Sequence, residues 1–286
     1  VTRILITGAA GMLGRDLQAA LADRAVTALS RSELDVADVD AAREAVAGHD
    51  VVINAAAWTR VDDAESHEPE AHRVNALGAQ SLARAAAGAG AVLVQLSTDY
   101  VFDGRASTPY LEDAPLAPVS AYGRTKAEGE RLARAAHPEG TLIVRTAWLY
   151  GEHGPNFAAT MLGLATQRDT LSVVDDQRGQ PTWTRDLAEQ IVRLIDSGAR
   201  SGVLHGTASG ETTWFGFARA IFEEAGLDPE RVRPTDSSAF ARPAPRPAYS
   251  VLAHEGWRAL GLAPMRDWRE ALADAWRSGA IALPTA

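Results

Sequence analysis

The 286-residue chain contains no cysteine. Disulfides, thiolate metal sites and a nucleophilic thiol are therefore excluded from the start. No apolar run approaches the roughly 18 residues that a membrane span needs. The early apolar stretch Ile4-Leu5-Ile6 is too short for the core of a signal peptide and runs straight into a glycine motif. These absences predict a cytoplasmic protein with no membrane partner. Positive charge is in deficit: 28 Lys and Arg stand against 37 Asp and Glu, a net charge of −9, so no general nucleic-acid surface is expected. An acidic protein still binds an anionic nucleotide locally, through backbone N–H groups and a few arginines. The seven histidines lack metal-ligand spacing; His67 and His72, five apart, do not share a helical face cleanly. Each histidine reads as a surface or satisfied polar group. No internal repeat is visible, and the prolines are too few and too local for a disordered linker.

What is present is ordinary for a globular chain: 46% hydrophobic and 23% charged residues, enough for one extended domain or two modest ones. Strand-like runs at 3–7, 25–29, 50–54, 91–96 and 141–145 alternate with helical stretches at 11–22, 39–47, 70–89 and 120–136. That rhythm predicts an α/β fold, a Rossmann-type doubly wound parallel sheet with ligands along the strand C-termini. After about residue 150 the rhythm changes to a helix at 156–167, a strand at 171–174, a loop at 175–182 and a helix ending near 197. A proline-rich segment at 242–247 and a last helix near 266–278 follow. The division predicted is a dinucleotide-binding domain, 1–150 plus about 183–206, and a smaller, partly discontinuous α/β substrate domain, about 151–182 and 207–286.

Gly8, Gly11 and Gly14 form G-x-x-G-x-x-G after the first strand. The first glycine permits the tight turn, the second lets backbone approach a pyrophosphate, and the third lets the helix pack close to the sheet. A strand before and a helix after raise this above a plain βα turn. The second strand ends Leu29-Ser30-Arg31 without an acid. Arg31 suits a 2′-phosphate and hence NADPH, although a merely solvated arginine fits nearly as well and NADH stays open. Asp35 and Val36 follow closely enough to reach the adenine.

Tyr122 and Lys126, four apart in a predicted helix, project from one face. There the lysine's charge is expected to lower the phenol's pKa, and the tyrosine to protonate an alkoxide as hydride arrives. Thr98, at the fourth strand's C-terminal end, can hydrogen-bond the same carbonyl oxygen. Pro115 and Pro118 fix an extended approach to this helix, with Ser120 as its expected N-cap. Glu128 and Glu130 are expected to face solvent. Asp62, Asp63 and Glu65 read as an acidic cluster at a helix start.

These motifs join Asn54-Ala55-Ala56-Ala57-Trp58-Thr59, Val74-Asn75, Ser97-Thr98-Asp99-Tyr100-Val101-Phe102-Asp103-Gly104 and Arg145-Thr146-Ala147-Trp148-Leu149-Tyr150-Gly151 in one chain order. Asp176-Gln177-Arg178-Gly179-Gln180-Pro181-Thr182 and Arg246-Pro247-Ala248-Tyr249-Ser250-Val251-Leu252 complete the set. Over nearly its whole length the sequence resembles the extended short-chain dehydrogenase/reductases, in particular their 4-ketoreductases of dTDP-linked deoxysugars. The resemblance implies a catalytic group of Thr98, Tyr122 and Lys126. It places Gly8, Gly11, Met12, Leu13 and Gly14 along the pyrophosphate, and Ala55, Ala56, Ala57 and Thr59 beside the adenosine and nicotinamide ribose, which Lys126 also holds. Thr98, Asp99, Tyr122 and Trp148 would face the sugar nucleotide, Arg246 its phosphates, and Asn75 would support the site through backbone hydrogen bonds. Trp58 stands where smaller or polar residues are frequent. Some relatives carry Mg²⁺ at a dimer interface, which brings in Asp16, Glu189 and a homodimer; two solvated carboxylates are the plainer reading. The implied reaction is reduction of the 4-keto group of dTDP-4-dehydro-6-deoxy-L-mannose. The alternatives are another dTDP-deoxysugar, an epimerase, or a regulatory subunit of the same fold.

Overall fold

The computed structural model describes residues 2–284. Its first half runs β1 (Arg3–Thr7), α1 (Met12–Ala20), β2 (Ala25–Leu29), α2 (Val39–Val46), β3 (Val51–Asn54), α3 (Glu68–His72), α4 (Gly78–Ala89), β4 (Val92–Thr98), α5 (Ala121–Ala136) and β5 (Thr141–Thr146). Alternate residues of these strands supply opposite faces of one sheet, as period-2 geometry requires. Ile4, Ile6, Ile53, Val94 and Leu96 pack with Leu13 and Leu17 of α1. Leu5, Val52 and Leu93 pack with Val46 of α2 and Leu82 of α4 on the other side. Burial on both faces explains why the strands read as nearly continuous apolar runs.

The second half comprises β6 (Leu149–Tyr150), α6 (Phe157–Ala165), β7 (Leu171–Val174), β8 (Arg178–Gly179), β9 (Thr182–Trp183), α7 (Thr184–Asp196), β10 (Gly202–His205), β11 (Thr212–Thr213), α8 (Trp214–Glu224), β12 (Val232–Thr235), α9 (Glu255–Ala259) and α10 (Trp268–Arg277). The chain returns to the sheet here: Leu187 and Ile191 of α7 join the α1 face, and β10 pairs in parallel with β5. The remainder closes a second core of Leu162, Phe217, Ile221, Phe222 and Leu272. The main sheet has the order β10-β5-β4-β3-β1-β2, parallel throughout. The connections reverse direction between β1 and β3, whose last residues, Thr7 and Asn54, are register partners. Ligands of open α/β sheets bind at such a switch point.

Two expected elements differ in detail: the stretch 175–182, expected as a loop, holds β8 and the first residue of β9. The stretch 70–89 is not a single helix, because a π-helical turn, Arg73–Leu77, separates α3 from α4. The inserted turn buries Asn75 at 2% exposure, and π-bulges often serve to re-aim one functional side chain.

Candidate active site

A buried polar chain crosses the sheet at the switch point. Thr7 Oγ1 donates to Asn54 Oδ1 at 2.7 Å, and Asn54 Nδ2 donates to Gln95 Oε1 at 2.7 Å. Gln95 Nε2 then donates to the Leu96 carbonyl at 2.8 Å, and Lys126 Nζ donates to the same oxygen at 2.6 Å. The chain locks the C-terminal ends of β1, β3 and β4 to α5. Sequence reasoning gave Thr7, Asn54 and Gln95 no such role; polar residues near the ends of otherwise apolar strands were the available signal.

The glycine loop leaves β1 with Gly8 at φ +69°. A Cβ on Gly8 would stand 2.6 Å from Ala55 C and Ala56 N, and one on Gly14 would strike the Gly8 carbonyl. Gly11 caps α1 without a side chain, and the first turn holds no acid. The N–H groups and partial positive charge at that helix end are therefore left for an external anion. Met12 and Leu13 open this helix, and Ala55, Ala56, Ala57 and Thr59 follow the neighbouring strand β3. The loop thus fits a dinucleotide diphosphate. At the end of β2, Glu33 takes hydrogen bonds from Ser30 N at 2.8 Å and Ser30 Oγ at 2.6 Å. Arg31 is exposed, Val36 is buried, and Asp35 pairs with Arg73, which holds its carboxyl below the usual range.

Helix α5 is fastened at its start. Ser120 Oγ accepts from Gly123 N at 3.1 Å, the expected N-cap, and Glu65 Oε1 accepts from Ala121 N at 2.8 Å. Glu65 therefore belongs to the start of α5, and Asp62 pairs with Arg246 at 2.8 Å instead of serving a helix dipole. A Cβ on Gly123 would meet the Tyr100 carbonyl, so glycine lets α5 approach that turn closely. The Tyr100 and Tyr122 rings meet edge to face, 5.6 Å apart.

Thr98 Oγ1 donates to Asp99 Oδ1 at 2.9 Å and accepts from Tyr100 N at 3.2 Å. Burial pushes the Tyr122 phenol up to about 12, with the Thr98 hydroxyl pulling it down and the Asp99 carboxylate adding to the rise. Burial also lifts the Asp99 carboxyl to about 6, against the Ser250 and Thr98 hydroxyls. Asp99 Oδ2 and Thr146 Oγ1 are buried without hydrogen-bond partners. Thr98 and Thr146 are register partners on β4 and β5, so these orphaned oxygens lie at one sheet edge.

Two expectations about α5 need correction. The Tyr122 phenol is raised by its burial and not lowered, and burial also brings Lys126 down to about 8 against the pull of Glu130. Glu130 does not face solvent. Its side chain and that of Arg145 are each 3% exposed, joined by two hydrogen bonds of 2.8 and 2.9 Å, and Ser97 Oγ donates to Glu130 at 2.5 Å. Glu130 lies four residues beyond Lys126 and eight beyond Tyr122, the spacing of one helical face, which was the signal to read. Glu128 pairs with Arg131 on the surface. His205, beside Arg145, is held neutral by burial, which takes its pKa down to about 3.

Asn75 braces the same region. Its Oδ1 accepts from Trp58 N at 2.8 Å, and its Nδ2 reaches Trp58 O at 3.2 Å and Thr125 Oγ1 at 3.0 Å. One amide thus ties the loop after β3 to α5. The Trp58 ring lies under Arg60, 4.5 Å from the guanidinium carbon. Arg246 sits over Tyr100 at 6.0 Å, still paired with Asp62. Trp148, between β5 and β6, is partly buried against Trp214 of α8.

A recess of about 670 Å³ lies elsewhere, lined by Trp183, Asp186, Glu189, Arg266 and Asp274 among others. Arg266 is already paired with both Asp186 and Asp274 there, and none of the groups above lines it. Chemistry points to the sheet edge, not to this recess. Nothing supports a Mg²⁺ site at Asp16 and Glu189: Glu189 approaches Arg185 at 3.4 Å, and within this chain no group of three or more metal-ligating side chains converges among the described residues. No helix among them is long and apolar enough to cross a membrane.

Residues 2–280 match the family described as RmlD substrate binding domain. A dTDP-4-dehydrorhamnose reductase of Streptomyces griseus is 52% identical over 282 residues, covering 96% of this chain and 93% of the relative. A dTDP-4-keto-6-deoxy-D-glucose reductase of Streptomyces niveus is 50% identical, covering 96% of each. Among solved structures, the dTDP-4-dehydrorhamnose reductase of Bacillus anthracis in complex with NADP superposes with a TM-score of 0.92 at 36% identity, over 97% of this chain and 99% of that one.

Proposed function

Because the chain belongs to the RmlD substrate binding domain family, we propose that it reduces the 4-keto group of dTDP-4-dehydro-6-deoxy-L-mannose with NADPH, giving dTDP-L-rhamnose. What supports the reading is that Thr98 ends β4, α5 packs Tyr122 against the turn that follows it, and the glycine cradle opens on the same edge at the β1/β3 switch point. NADPH, when bound, supplies the hydride for carbon 4 of the sugar.

The chain's own residues do the rest. Tyr122 holds its proton at neutral pH and is the acid placed to protonate the sugar's O4, although burial pushes its phenol up to about 12 and so makes it a weaker donor than a free tyrosine. The Thr98 hydroxyl orients that oxygen. Lys126, fixed by the Leu96 carbonyl, is the group for the ribose hydroxyls. Met12, Leu13 and the three glycines hold the diphosphate; Arg31 meets the 2′-phosphate; Ser30, Asp35 and Val36 border the adenosine. Ala55, Ala56, Ala57 and Thr59 flank the cofactor from β3. Asp99 and Trp148 face the sugar, and Arg246 serves the sugar nucleotide's phosphates after Asp62 yields it. In this reading 151–182 and 207–286 form the substrate lobe, and the protein works in the cytoplasm. Every group named comes from a single chain.

The test is NADPH oxidation on addition of dTDP-4-dehydro-6-deoxy-L-mannose, with dTDP-L-rhamnose identified as product. The Streptomyces niveus relative favours a second reading, reduction of dTDP-4-keto-6-deoxy-D-glucose. A higher kcat/KM for that sugar would replace the first reading with the second. Reduction of neither sugar by folded protein would favour a regulatory subunit.

A further inference from the structure

Among the described residues Trp148 is the only non-glycine with a positive φ, 48°. That backbone is strained for so large a residue and persists only where the surroundings over-determine it. Two contacts do so. The Trp148 indole stacks on Trp214 with ring centroids 3.5 Å apart and planes 8° from parallel. Its edge closes on Gly179, where a Cβ would stand 2.6 Å from Cε2, 2.7 Å from Cζ2 and 2.8 Å from Nε1.

The two jaws are one unit. Gly179 of β8 pairs with Thr212 of β11, and Trp214 begins α8 directly after β11. Trp214 is backed in turn by Phe157, the first residue of α6, at 4.5 Å. Trp148 lies two residues beyond Thr146, the register partner of Thr98, so the held ring belongs to the catalytic edge.

We propose that Trp214 and Gly179 form a vise that holds the Trp148 indole as the apolar wall for the sugar ring of the substrate. Trp214 is then a positioning residue that sets sugar specificity without touching the reacting atoms. This inference rests on the proposed function, in which Trp148 faces the sugar.

The experiment compares Trp214→Ala, Trp214→Phe, Gly179→Ala and Trp148→Ala with the wild type. Readouts are kcat and KM for dTDP-4-dehydro-6-deoxy-L-mannose, NADPH affinity and thermal midpoint. Loss of the stack is expected to raise the sugar KM by about tenfold, the scale of one aromatic pair, with far smaller changes in kcat and none in NADPH affinity. Trp214→Phe keeps a stacking face and should recover most of the loss, while Gly179→Ala, which displaces the ring from its edge, should reproduce it. An unchanged KM in Trp214→Ala beside a raised KM in Trp148→Ala would overturn the vise alone. An unchanged KM in Trp148→Ala would remove the wall and the proposal with it. Parallel losses of kcat, NADPH affinity and thermal midpoint would reduce Trp214 to a structural support and overturn the proposal as well.

Discussion

In the proposed reaction Tyr122 acts as a neutral phenol, with burial raising its pKa to about 12. Replacing it with phenylalanine should lower turnover by roughly 10²–10⁴-fold while NADPH still binds, as steady-state rates and a cofactor titration will report. Asp99 gives a prediction for stability. Its folded pKa, about 6, lies above the ordinary carboxylate value of 3.8. The folded state therefore binds the proton more tightly. The stability gained from protonated Asp99 is full below about pH 4 and is lost as pH rises through 6, by about 3 kcal/mol at 1.36 kcal/mol per pKa unit. Asp99→Asn, which cannot ionise, should gain stability relative to the wild type between pH 4.5 and 8 in paired thermal melts. Arg246 is the third test at this scale: Arg246→Ala should raise the sugar-nucleotide KM by roughly 10- to 100-fold, the worth of a hydrogen bond to a charged group. Residue types and spacing made Gly8, Thr98, Tyr122 and Ser120 legible in the sequence. Asp62 and Glu65 were not, because their partners Arg246 and Ala121 lie far along the chain; the spacing of Glu130 was readable, but its partner Arg145 on another element was not.

At the scale of elements, α5 is the part most heavily fixed. Ser120 and Glu65 hold its start, Asn75 clamps its first turns to the loop after β3, and Glu130 and Arg145 seat its middle on β4 and β5. The buried pair is costly to break one side at a time. Arg145→Met alone should destabilise the fold by about 3–5 kcal/mol in urea unfolding, whereas Glu130→Leu with Arg145→Met should recover much of that loss. The central strands were legible because period-2 burial on two faces leaves apolar runs bounded by turns. The π-turn at Arg73–Leu77 was not, since the helical pattern continues through it. Short ribbons such as β8–β11 and β6–β9, of two residues per strand, offer no period to read.

At the scale of the whole molecule, Trp148 follows the C-terminal edge of the sheet and stacks on Trp214 of the second core, while the segment 242–247 reaches the same edge through Arg246 over Tyr100. Binding NADPH only in the folded state should stabilise the protein by about 2.7 kcal/mol at a hundredfold excess over Kd. A chain of this size should then melt roughly 5–10 °C higher. If Arg31 meets a 2′-phosphate, NADH at equal concentration should give a smaller shift, and Arg31→Ala should erase the difference. The α/β class and the positions of the first five strands along the chain followed from the alternation of elements. Residues 183–206 were assigned to the sheet domain, but the strand β10 itself was not read, because four residues (Gly202–His205) next to a glycine-containing turn look like loop.

The central claim is that carbon 4 of a dTDP-linked sugar is reduced at the edge where Tyr122 and Thr98 meet. The most direct measurement uses NADPH deuterated at the transferable nicotinamide position, with dTDP-4-dehydro-6-deoxy-L-mannose as substrate, comparing wild type and Tyr122→Phe by NMR of the product. The account predicts deuterium at C4 of dTDP-L-rhamnose in the wild type, formed far more slowly by the variant. Deuterium elsewhere, or equal rates from the two proteins, would contradict it.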